Sequence, residues 1–324
     1  MFSRDVLNLD LKAEAEKIAG ILKKQVMGDL RKKGIVVGLS GGIDSSVTAA
    51  LAVKALGKDK VYGLFMPEKV SSDESETLGR ELATVLGIRT EKCDIAPALE
   101  GLGCYRAQDE AMKAVFPDYT SAWKYKIVLP SILKSDRLNF YQVTVKKPDG
   151  SMVTERLPLD PYLKLVAATN YKQRVRKMTE YYHGDRLNYA VAGTPNRLEY
   201  DQGFFVKQGD GAADVKPIAH LYKTQVFAMA KELGVPESIR RRPPTTDTYS
   251  LAQSQEEFYF ALPYELMDLC LYAYDHQVKA EEVAPVVKLT AEQVERVYRD
   301  IESKRRYAHY LHAPPMLIEP VKAY

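Results

Sequence analysis

Residues 35–46, Ile-Val-Val-Gly-Leu-Ser-Gly-Gly-Ile-Asp-Ser-Ser, decide the fold of this chain. The apolar residues 35–39 predict a short buried strand, and residues 45–56 predict a helix that ends at Gly57. Between them, the adjacent glycines Gly41 and Gly42 allow backbone conformations that other residues avoid. The N–H groups of such a loop, together with its serine hydroxyls, can form a concave anion site at a helix N-terminus. We therefore expect pyrophosphate to bind between this strand and this helix.

The loop differs from two widespread phosphate-binding loops. It lacks the Gly-Lys-Ser/Thr ending of a Walker A loop and the third glycine of a dinucleotide fingerprint. Asp44 is the informative residue, because a carboxylate inside a phosphate site repels the ligand unless a cation lies between them. Asp44 is therefore a candidate Mg²⁺ ligand. The alternative is a plain strand–turn–helix with small residues and a Ser or Asp cap.

Outward from the loop, strands and helices alternate along the chain. We predict further strands at residues 61–66, 88–94 and 187–192, and helices at residues 9–33, 75–86, 171–182 and 223–233. Such alternation is typical of the α/β class, and it predicts a doubly wound parallel sheet with helices on both faces. In that fold, a nucleotide binds at the carboxyl ends of the strands.

Residues 101–161 interrupt the alternation. Within them, residues 140–146 and 152–157 flank Pro148-Asp149-Gly150, a pattern that predicts a hairpin. We interpret residues 101–161 as an insertion or flap within a single domain that spans residues 1–324. Residues 256–324 are interpreted as a helical C-terminal extension of that domain.

The composition argues against several classes of protein. The chain of 324 residues is 46% hydrophobic and 27% charged, which suits a globular fold with a large core. Its net charge of +3 gives no basic excess for a nucleic-acid or membrane partner. The polar N-terminus does not resemble a signal peptide, and no apolar run approaches the ~20 residues of a membrane span. Three cysteines without CxxC spacing argue against a zinc site and suit the cytoplasm.

A second block of polar residues follows the strand predicted at residues 187–192. Glu199 could be a second metal carboxylate, and Lys207 and Lys223 could pair with phosphate or carboxylate groups. Asp210 and Asp214 could accept hydrogen bonds from ribose hydroxyls or amides. Each of these residues could also be a solvated loop charge. Their concentration downstream of the Asp44 loop favours a binding site for a charged nucleotide.

Residues 40–46, Ser-Gly-Gly-Ile-Asp-Ser-Ser, resemble the signature of the ATP-pyrophosphatases, the PP-loop class with the adenine nucleotide alpha hydrolase-like fold. Members of this class cleave ATP to AMP and pyrophosphate and leave AMP on a substrate oxygen. Residues 193–199, 203–207, 209–214 and 243–247 resemble the motifs of the NAD synthetase family within that class. That family resemblance implies amidation of deamido-NAD by ammonia, at the expense of ATP and with Mg²⁺, in a homodimer.

The resemblance also implies roles for individual residues. The implied ATP contacts are Gly38, Leu39, Ser40, Gly41, Gly42, Ile43, Asp44, Ser45, Ser46, Thr194, Lys223 and Thr245. The implied Mg²⁺ ligands are Asp44 and Glu199. The implied contacts with the acceptor dinucleotide are Arg176, Tyr181, Lys207, Asp214 and Lys304.

Three features depart from the family pattern. The segment between residues 94 and 170 is long, Ser303 stands where the family usually has His, and residues 248–260 lack an acidic run. These departures leave open an enzyme of the same class that adenylates and amidates a different carboxylate. A non-catalytic nucleotide-binding protein is a second alternative, against which Asp44 and Glu199 argue. Only 37 residues precede the loop, so nitrogen is expected from free ammonia or from a separate glutaminase.

Overall fold

The structure, a computed structural model, describes residues 2–128, 141–243, 249–251, 259 and 262–321. These residues contain seven strands: β1 (Ile35–Gly38), β2 (Val61–Phe65), β3 (Arg89–Lys92), β4 (Lys124–Val128), β5 (Gln142–Lys146), β6 (Met152–Arg156) and β7 (Ala190–Val191). The α-helices of the same residues are α1 (Leu11–Lys23), α2 (Ile43–Leu56), α3 (Asp73–Leu86), α4 (Ala96–Gly101), α5 (Cys104–Lys113), α6 (Leu159–Leu187), α7 (Arg197–Gln202), α8 (Lys223–Glu232), α9 (Glu237–Arg241), α10 (Tyr264–Asp275), α11 (Ala280–Val287) and α12 (Ala291–His312).

A parallel sheet in the order β3–β2–β1–β7 forms the centre of the fold. Ile35 of β1 pairs with Val61 on one side and with Ala190 on the other. Because the strands are parallel, their carboxyl ends meet at one edge of the sheet. The loop after β1 therefore opens beside the ends of its two neighbours, where ligands bind in open α/β sheets.

Alternate residues of β1 face opposite helical layers, as the pleat of a strand requires. Ile35 and Val37 belong to a buried cluster with residues of α1, α2 and α8. Val36 belongs to a different buried cluster, which includes Leu64 of β2 and Val175 of α6. Helices thus cover both faces, and the predicted doubly wound parallel sheet is confirmed.

Several predicted elements have different bounds in the structure. The strand predicted at residues 187–192 is limited to β7, because Leu187 still belongs to α6 and Asn188, at φ 55°, ends that helix in the left-handed conformation. The helix predicted at residues 171–182 is the central part of the much longer α6. Its polar residues line an internal cavity as well as the surface, so the apolar periodicity that marks a surface helix is lost.

The helix predicted at residues 9–33 is also different in the structure. It is α1 followed by a π-helical segment, Lys24–Asp29. At the other end of the chain, the helical stretch predicted to start at residue 256 is described as three helices from Tyr264 onward.

Strands β4, β5 and β6 form a separate antiparallel sheet, in that order. The predicted hairpin is confirmed, with Lys146 of β5 paired to Met152 of β6. The core beneath this sheet is rich in aromatic residues, and Tyr119, Trp123 and Tyr125 are all buried there. In the described part of the chain, no helix is long and apolar enough to cross a membrane.

Candidate functional site

The loop between β1 and α2 is shaped by close backbone contacts. Gly41 has φ +71°, in the left-handed region that favours glycine. A Cβ atom at Gly41 would lie 2.4 Å from the backbone oxygen of Ser75 in α3, so only glycine fits this approach. Helix α2 begins at Ile43, with Gly42 as its N-cap. The first N–H groups of a helix have no intrahelical acceptor, which leaves those at the start of α2 available to an anion.

Serine hydroxyls hold this loop in place. Ser45 Oγ donates to the Gly42 carbonyl at 3.0 Å, and Ser46 Oγ donates to the same oxygen at 2.8 Å. The N–H of Gly42 donates to Ser40 Oγ at 3.2 Å, and the hydroxyls of Ser40 and Ser45 lie 3.1 Å apart. The loop is therefore fixed before a ligand arrives, which is the arrangement expected of a phosphate site.

Two carboxylates from distant parts of the sequence lie beside this loop. Asp44 Oδ1 accepts a hydrogen bond of 3.0 Å from Asn196 Nδ2, and Asp44 Oδ2 is paired with the fully buried ammonium of Lys223. Glu199 forms a capping box with Asn196 at the start of α7, in which Glu199 Oε2 accepts the Asn196 N–H at 3.1 Å. Asn196 thus links the two carboxylates that were predicted as metal ligands.

The pKa of Glu199 is shifted by its burial and by the charges around it. Burial raises the pKa of Glu199 to about 8, and the negative charge of Asp44 acts in the same direction. Burial lowers the pKa of Lys223, but the charges of Asp44 and Glu199 outweigh burial and the net shift is upward. Two oxygen-ligand carboxylates that repel each other at a phosphate loop suit a hard divalent cation such as Mg²⁺.

A cavity of about 920 Å³ opens from the loop. The predicted site residues that line it are Gly38, Leu39, Ser40, Gly42, Ile43, Asp44, Ser45, Thr194, Glu199, Arg176, Lys207 and Lys304. Gly41 and Ser46 support the loop from behind, and Lys223 reaches the cavity through its contact with Asp44. The predicted ATP contact Thr245 lies outside the described residues.

The three predicted cationic acceptor contacts reach the cavity from different elements. Arg176 of α6 donates from Nε to the Met66 carbonyl at 3.3 Å. Lys207 Nζ donates to the Tyr310 carbonyl at 2.8 Å, near the C-terminal end of α12. Lys304 Nζ forms an ion pair of 2.6 Å with Asp300 on the same helix. Helix α12 is therefore tied to this side of the cavity.

Tyr181 and Asp214 are placed differently. Among the described residues, they are not part of the cavity lining. Tyr181 donates from its hydroxyl to Asp214 Oδ1 at 3.2 Å, and Asp214 Oδ2 accepts the Val191 N–H at 2.8 Å. Burial and the charge of Asp214 raise the pKa of Tyr181. Asp214 is exposed, so this pair is open to contact from outside the chain.

Sequence reasoning missed a buried ion pair at the base of the loop. Lys177 Nζ and Glu180 Oε2 of α6 lie 2.6 Å apart, and both residues line the cavity. A Cβ atom at Gly38 would lie 2.9 Å from Glu180 Oε1, so a larger residue there would displace the Glu180 carboxylate. Burial raises the pKa of Glu180, while the charge of Lys177 opposes that rise. The polar i, i+3 spacing along residues 170–180 was the signal available in the sequence.

A second missed group fixes the segment after β2, which lines the cavity through Met66 and Pro67. Lys172 Nζ of α6 donates to Glu68 Oε1 at 2.8 Å, and the Tyr105 hydroxyl donates to Glu68 Oε2 at 3.0 Å. The side chains of Lys172 and Glu68 are almost entirely buried. Removal of one partner from such a buried pair leaves an uncompensated charge, so this contact holds the loop to α6.

Arg242 was missed as well. It lines the cavity just after α9 and donates from Nη2 to Ser75 Oγ at 3.0 Å. Ser75 is the residue whose backbone lies against Gly41. Arg242 therefore brings a guanidinium to the wall of the phosphate loop, a group that binds phosphate well.

Comparisons with known proteins identify the family of this chain. The family model described as NAD synthase matches residues 14–118 and 132–309. A relative from Mesorhizobium japonicum, the NH(3)-dependent NAD(+) synthetase, is 62% identical over 96% of this chain and 98% of its own length. A protein of the same name from Rhizobium meliloti is 55% identical over 99% of this chain and 96% of its own length.

Solved structures share the fold. The NMN synthetase from Francisella tularensis matches with a TM-score of 0.66 and 24% identity, over 96% of this chain and 99% of that protein. The NH3-dependent NAD synthetase from Campylobacter jejuni matches with a TM-score of 0.62 and 20% identity, over 96% of this chain and 100% of that protein. With the family model and the two relatives of more than half identity, these findings show that the chain belongs to the NAD synthase family, as an ammonia-dependent, ATP-using carbon–nitrogen ligase.

Proposed function

We propose that this chain amidates deamido-NAD to NAD through an acyl-adenylate, with ATP and ammonia as co-substrates. The observation that carries the proposal is the position of the Asp44–Asn196–Glu199 group. It stands beside an N–H-rich phosphate loop at one end of a cavity of about 920 Å³. Pockets for one small ligand range from about 300 to 1,000 Å³, so this cavity is at the upper end of that range.

The residues of the loop bind the triphosphate. The first N–H groups of α2 face the phosphates, while Ser45 and Ser46 keep the Gly42 carbonyl turned away from them. Lys223 holds Asp44 in one orientation, and Arg242 adds positive charge on the other side. Asp44 and Glu199 would hold Mg²⁺, which when bound neutralises charge on the phosphate oxygens.

The chemistry needs no covalent bond to the enzyme. A carboxylate oxygen of the acceptor attacks the α-phosphorus of ATP, and the bond from that phosphorus to pyrophosphate breaks. Ammonia then attacks the acyl carbon, the carbon–oxygen bond to AMP breaks, and the nitrogen loses a proton. The contribution of the protein is to fix the two reactants beside each other and to stabilise the developing charge.

The acceptor is bound by cationic residues of the cavity. Arg176, Lys207 and Lys304 line the cavity from α6, from the loop after α7 and from α12. Tyr181 and Asp214 remain proposed acceptor contacts. Because their pair is not in the cavity lining of one described chain, we propose that a second copy of the chain brings them near the ligand.

A homodimer is also supported by an apolar stripe on α6. Tyr171, Met178 and Tyr182 lie on one face of this helix, at 38%, 63% and 63% exposure. Residues seven and eleven positions apart share a helix face, so the three side chains form one surface. Exposed apolar patches of this kind commonly mark an interface.

We also propose a domain organisation, a cellular compartment and a source of ammonia for this chain. Residues 1–324 form one ATP-pyrophosphatase domain, with residues 101–161 as an insertion and residues 256–324 as a helical extension. The family match is interrupted at residues 119–131, inside the proposed insertion, and covers the rest of residues 101–161. Three free cysteines suit a cytoplasmic enzyme. Ammonia is supplied free or by a separate glutaminase.

The deciding experiment measures pyrophosphate release from ATP and Mg²⁺, with deamido-NAD and ammonium present or withheld in turn. We expect release to require deamido-NAD, and NAD to form only when ammonium is added. If ATP binds but deamido-NAD yields neither pyrophosphate nor NAD, the acceptor assignment is wrong. A different carboxylate would then be the acceptor of the same adenylation chemistry.

A further inference from the structure

The ammonium of Lys223 reaches the phosphate loop from a buried position. Lys223 is the first residue of α8, its side chain is fully buried, and its Nζ is paired with Asp44 Oδ2. A buried ammonium is stable only where other groups compensate for the water that it has lost. The contacts at the backbone and at the ammonium of Lys223 therefore decide where this charge lies.

The backbone of Lys223 is held by Asp268 of α10, 45 positions further along the chain. Asp268 Oδ1 accepts the Lys223 N–H at 3.3 Å, and Asp268 Oδ2 accepts the Thr224 N–H at 2.7 Å. The first N–H groups of a helix lack intrahelical acceptors, and a carboxylate beside them also compensates for the positive end of the helix dipole. Asp268 is fully buried, so it caps α8 from a neighbouring helix.

The ammonium of Lys223 is in contact with aromatic rings. Lys223 Nζ lies 5.3 Å from the centroid of the Tyr264 ring and 6.0 Å from that of the Phe227 ring. Both distances are within the range of cation–π attraction. Tyr264 is the first residue of α10 and lies four positions before Asp268, so both side chains project from one face of that helix. Helix α10 thus contacts Lys223 at both of its ends.

Helix α10 is not one of the helices that cover the parallel sheet. Its apolar residues belong to a buried cluster with residues of α11 and α12, in the part of the chain interpreted as a helical extension. Lys223 connects this part to the phosphate loop, because a shift in the start of α8 would move the ammonium away from Asp44. The negative charges of Asp44 and Glu199 would then face each other without the cation that attracts both.

We propose that Asp268 is a positioning residue of the site, which holds the Lys223 ammonium against Asp44 and so orients this carboxylate for the binding of Mg²⁺ and ATP. Tyr264 supports the same ammonium through its ring. The inference rests on the proposed function, in which Asp44 is a metal ligand. It makes the helical C-terminal part of the chain a component of the site.

The test measures the binding of Mn²⁺, which takes the same kinds of oxygen ligand as Mg²⁺. Free Mn²⁺ is quantified by electron paramagnetic resonance at neutral pH, with a non-hydrolysable ATP analogue present, for the wild type, Asp268→Asn and Asp268→Ala. Asn keeps one acceptor oxygen and removes the charge, whereas Ala removes both. We expect Mn²⁺ binding to weaken by about 10-fold in Asp268→Asn, the scale of one lost hydrogen bond to a charged group, and further in Asp268→Ala.

A double-mutant cycle tests whether Asp268 acts through Lys223. Lys223→Met removes the ammonium and keeps most of the length of the side chain. We expect Asp268→Asn to weaken Mn²⁺ binding in the wild-type background and to change it less than twofold in the Lys223→Met background. An equal loss in both backgrounds overturns the proposal, because Asp268 would then act through the general stability of the fold.

Further variants separate positioning from packing. Leu271→Ala removes a buried apolar side chain from the same helix, and we expect it to lower the thermal stability but to keep Mn²⁺ binding. Tyr264→Phe keeps the ring and is expected to bind Mn²⁺ within twofold of the wild type, whereas Tyr264→Leu is expected to bind it more weakly. A loss in Leu271→Ala as large as that in Asp268→Asn contradicts the proposal.

Failure of the proposed function has a different appearance. A wild type that binds Mn²⁺ with the ATP analogue, but forms no NAD from deamido-NAD, ATP and ammonium, would contradict the proposed reaction. A wild type that forms NAD, while Asp268→Asn binds Mn²⁺ as tightly as it does, would contradict only the role of Asp268.

Discussion

Glu199 has a structural role and a proposed chemical role, and one substitution separates them. Its Oε2 accepts the Asn196 N–H in the capping box, while its charge faces Asp44. Glu199→Gln keeps an oxygen for the cap and removes the charge. We expect kcat for pyrophosphate release to fall by about 10²–10³-fold, the scale seen when one group that stabilises transition-state charge is lost.

The measurement is steady-state pyrophosphate release over a range of Mg²⁺ concentrations, with thermal unfolding in parallel. Glu232→Gln makes the same chemical change at an exposed position at the end of α8 and should leave kcat unaltered. A Glu199→Gln enzyme with wild-type kcat and unchanged Mg²⁺ dependence would remove Glu199 from the proposed metal site.

At the scale of residues, a site residue can be predicted from the sequence where a suitable side chain directly follows a predicted strand. Asp44 and Glu199 are 155 positions apart, yet each follows a predicted strand of a parallel sheet, so their proximity could be expected. Lys172 and Glu68 could not be paired in this way. Their contact depends on how α6 crosses the sheet, and each residue alone has the pattern of a surface charge.

Helix α8 begins at Lys223, the residue that reaches Asp44, and its start is fixed by Asp268 of α10. The Asp268 carboxylate accepts the N–H groups of Lys223 and Thr224, at 3.3 and 2.7 Å. Burial raises the pKa of Asp268 from 3.8 to about 6, although those hydrogen bonds and the charge of Lys223 act in the opposite direction. The folded state therefore binds this proton more tightly than the unfolded chain does.

The raised pKa of Asp268 predicts a pH dependence of stability. The stabilisation of the fold by the proton on Asp268 is fully present below the ordinary pKa of an aspartate. It is lost as pH rises through the pKa of the folded state, so the change falls between about pH 4 and 6. As pH rises across that window, we expect the unfolding free energy of the wild type, minus that of Asp268→Asn, to fall by about 2–3 kcal/mol. Urea unfolding at pH 4, 5, 6 and 7 measures it. Asp29→Asn, an exposed change, should show no such trend, and a pH-independent difference for Asp268→Asn would contradict the prediction.

The elements were predicted best where one face is apolar and the other polar. Helix α3 was predicted within two residues, because its buried Leu78 and Leu82 recur at helical spacing and Gly87 ends it in the left-handed conformation. Helix α6 was underestimated because it contacts a sheet, a cavity and solvent around its circumference. Its sequence therefore shows no single apolar stripe. Its start at Pro158 and Leu159, directly after a predicted hairpin, is also a weak indication of a helix N-terminus.

At the scale of the whole molecule, the proposed homodimer gives a direct prediction. The wild type should have twice the chain mass of 36.5 kDa in solution. Met178→Glu places a charge in the exposed stripe of α6 and should shift the protein toward a single chain, because burial of an unpaired charge at an interface is costly. Light scattering after size exclusion measures the mass.

The matched control for Met178→Glu is Val85→Glu. It introduces the same charge at an apolar position of α3 with 59% exposure, close to the 63% of Met178, and should leave the mass unchanged. A wild type with the mass of one chain would contradict the homodimer. A dimer that persists in Met178→Glu would show that the stripe is not the interface.

The architecture of the whole molecule was only partly available from the sequence. The parallel sheet follows from the alternation of strands and helices, and the loop after β1 follows from its glycines. The lining of the cavity does not follow, because residues such as Ile127, Tyr249 and Tyr307 all line it although they lie far apart in the sequence. Long-range packing of this kind leaves no local pattern for sequence reasoning to use.

Helix α6 has a consequence for how this enzyme can change. It runs as one continuous helix from Tyr162, which lines the cavity, to Glu180, which lies against Gly38 of the phosphate loop, so the spacing of these two residues can change only by whole residues. Insertion of one residue between Tyr162 and Arg176 would lengthen the helix by 1.5 Å and rotate one end by about 100° relative to the other. Adaptation of the cavity to a different acceptor therefore cannot come from gradual stretching of this helix. Such adaptation has to come from the segments that pack onto α6, which can vary without disturbing its register.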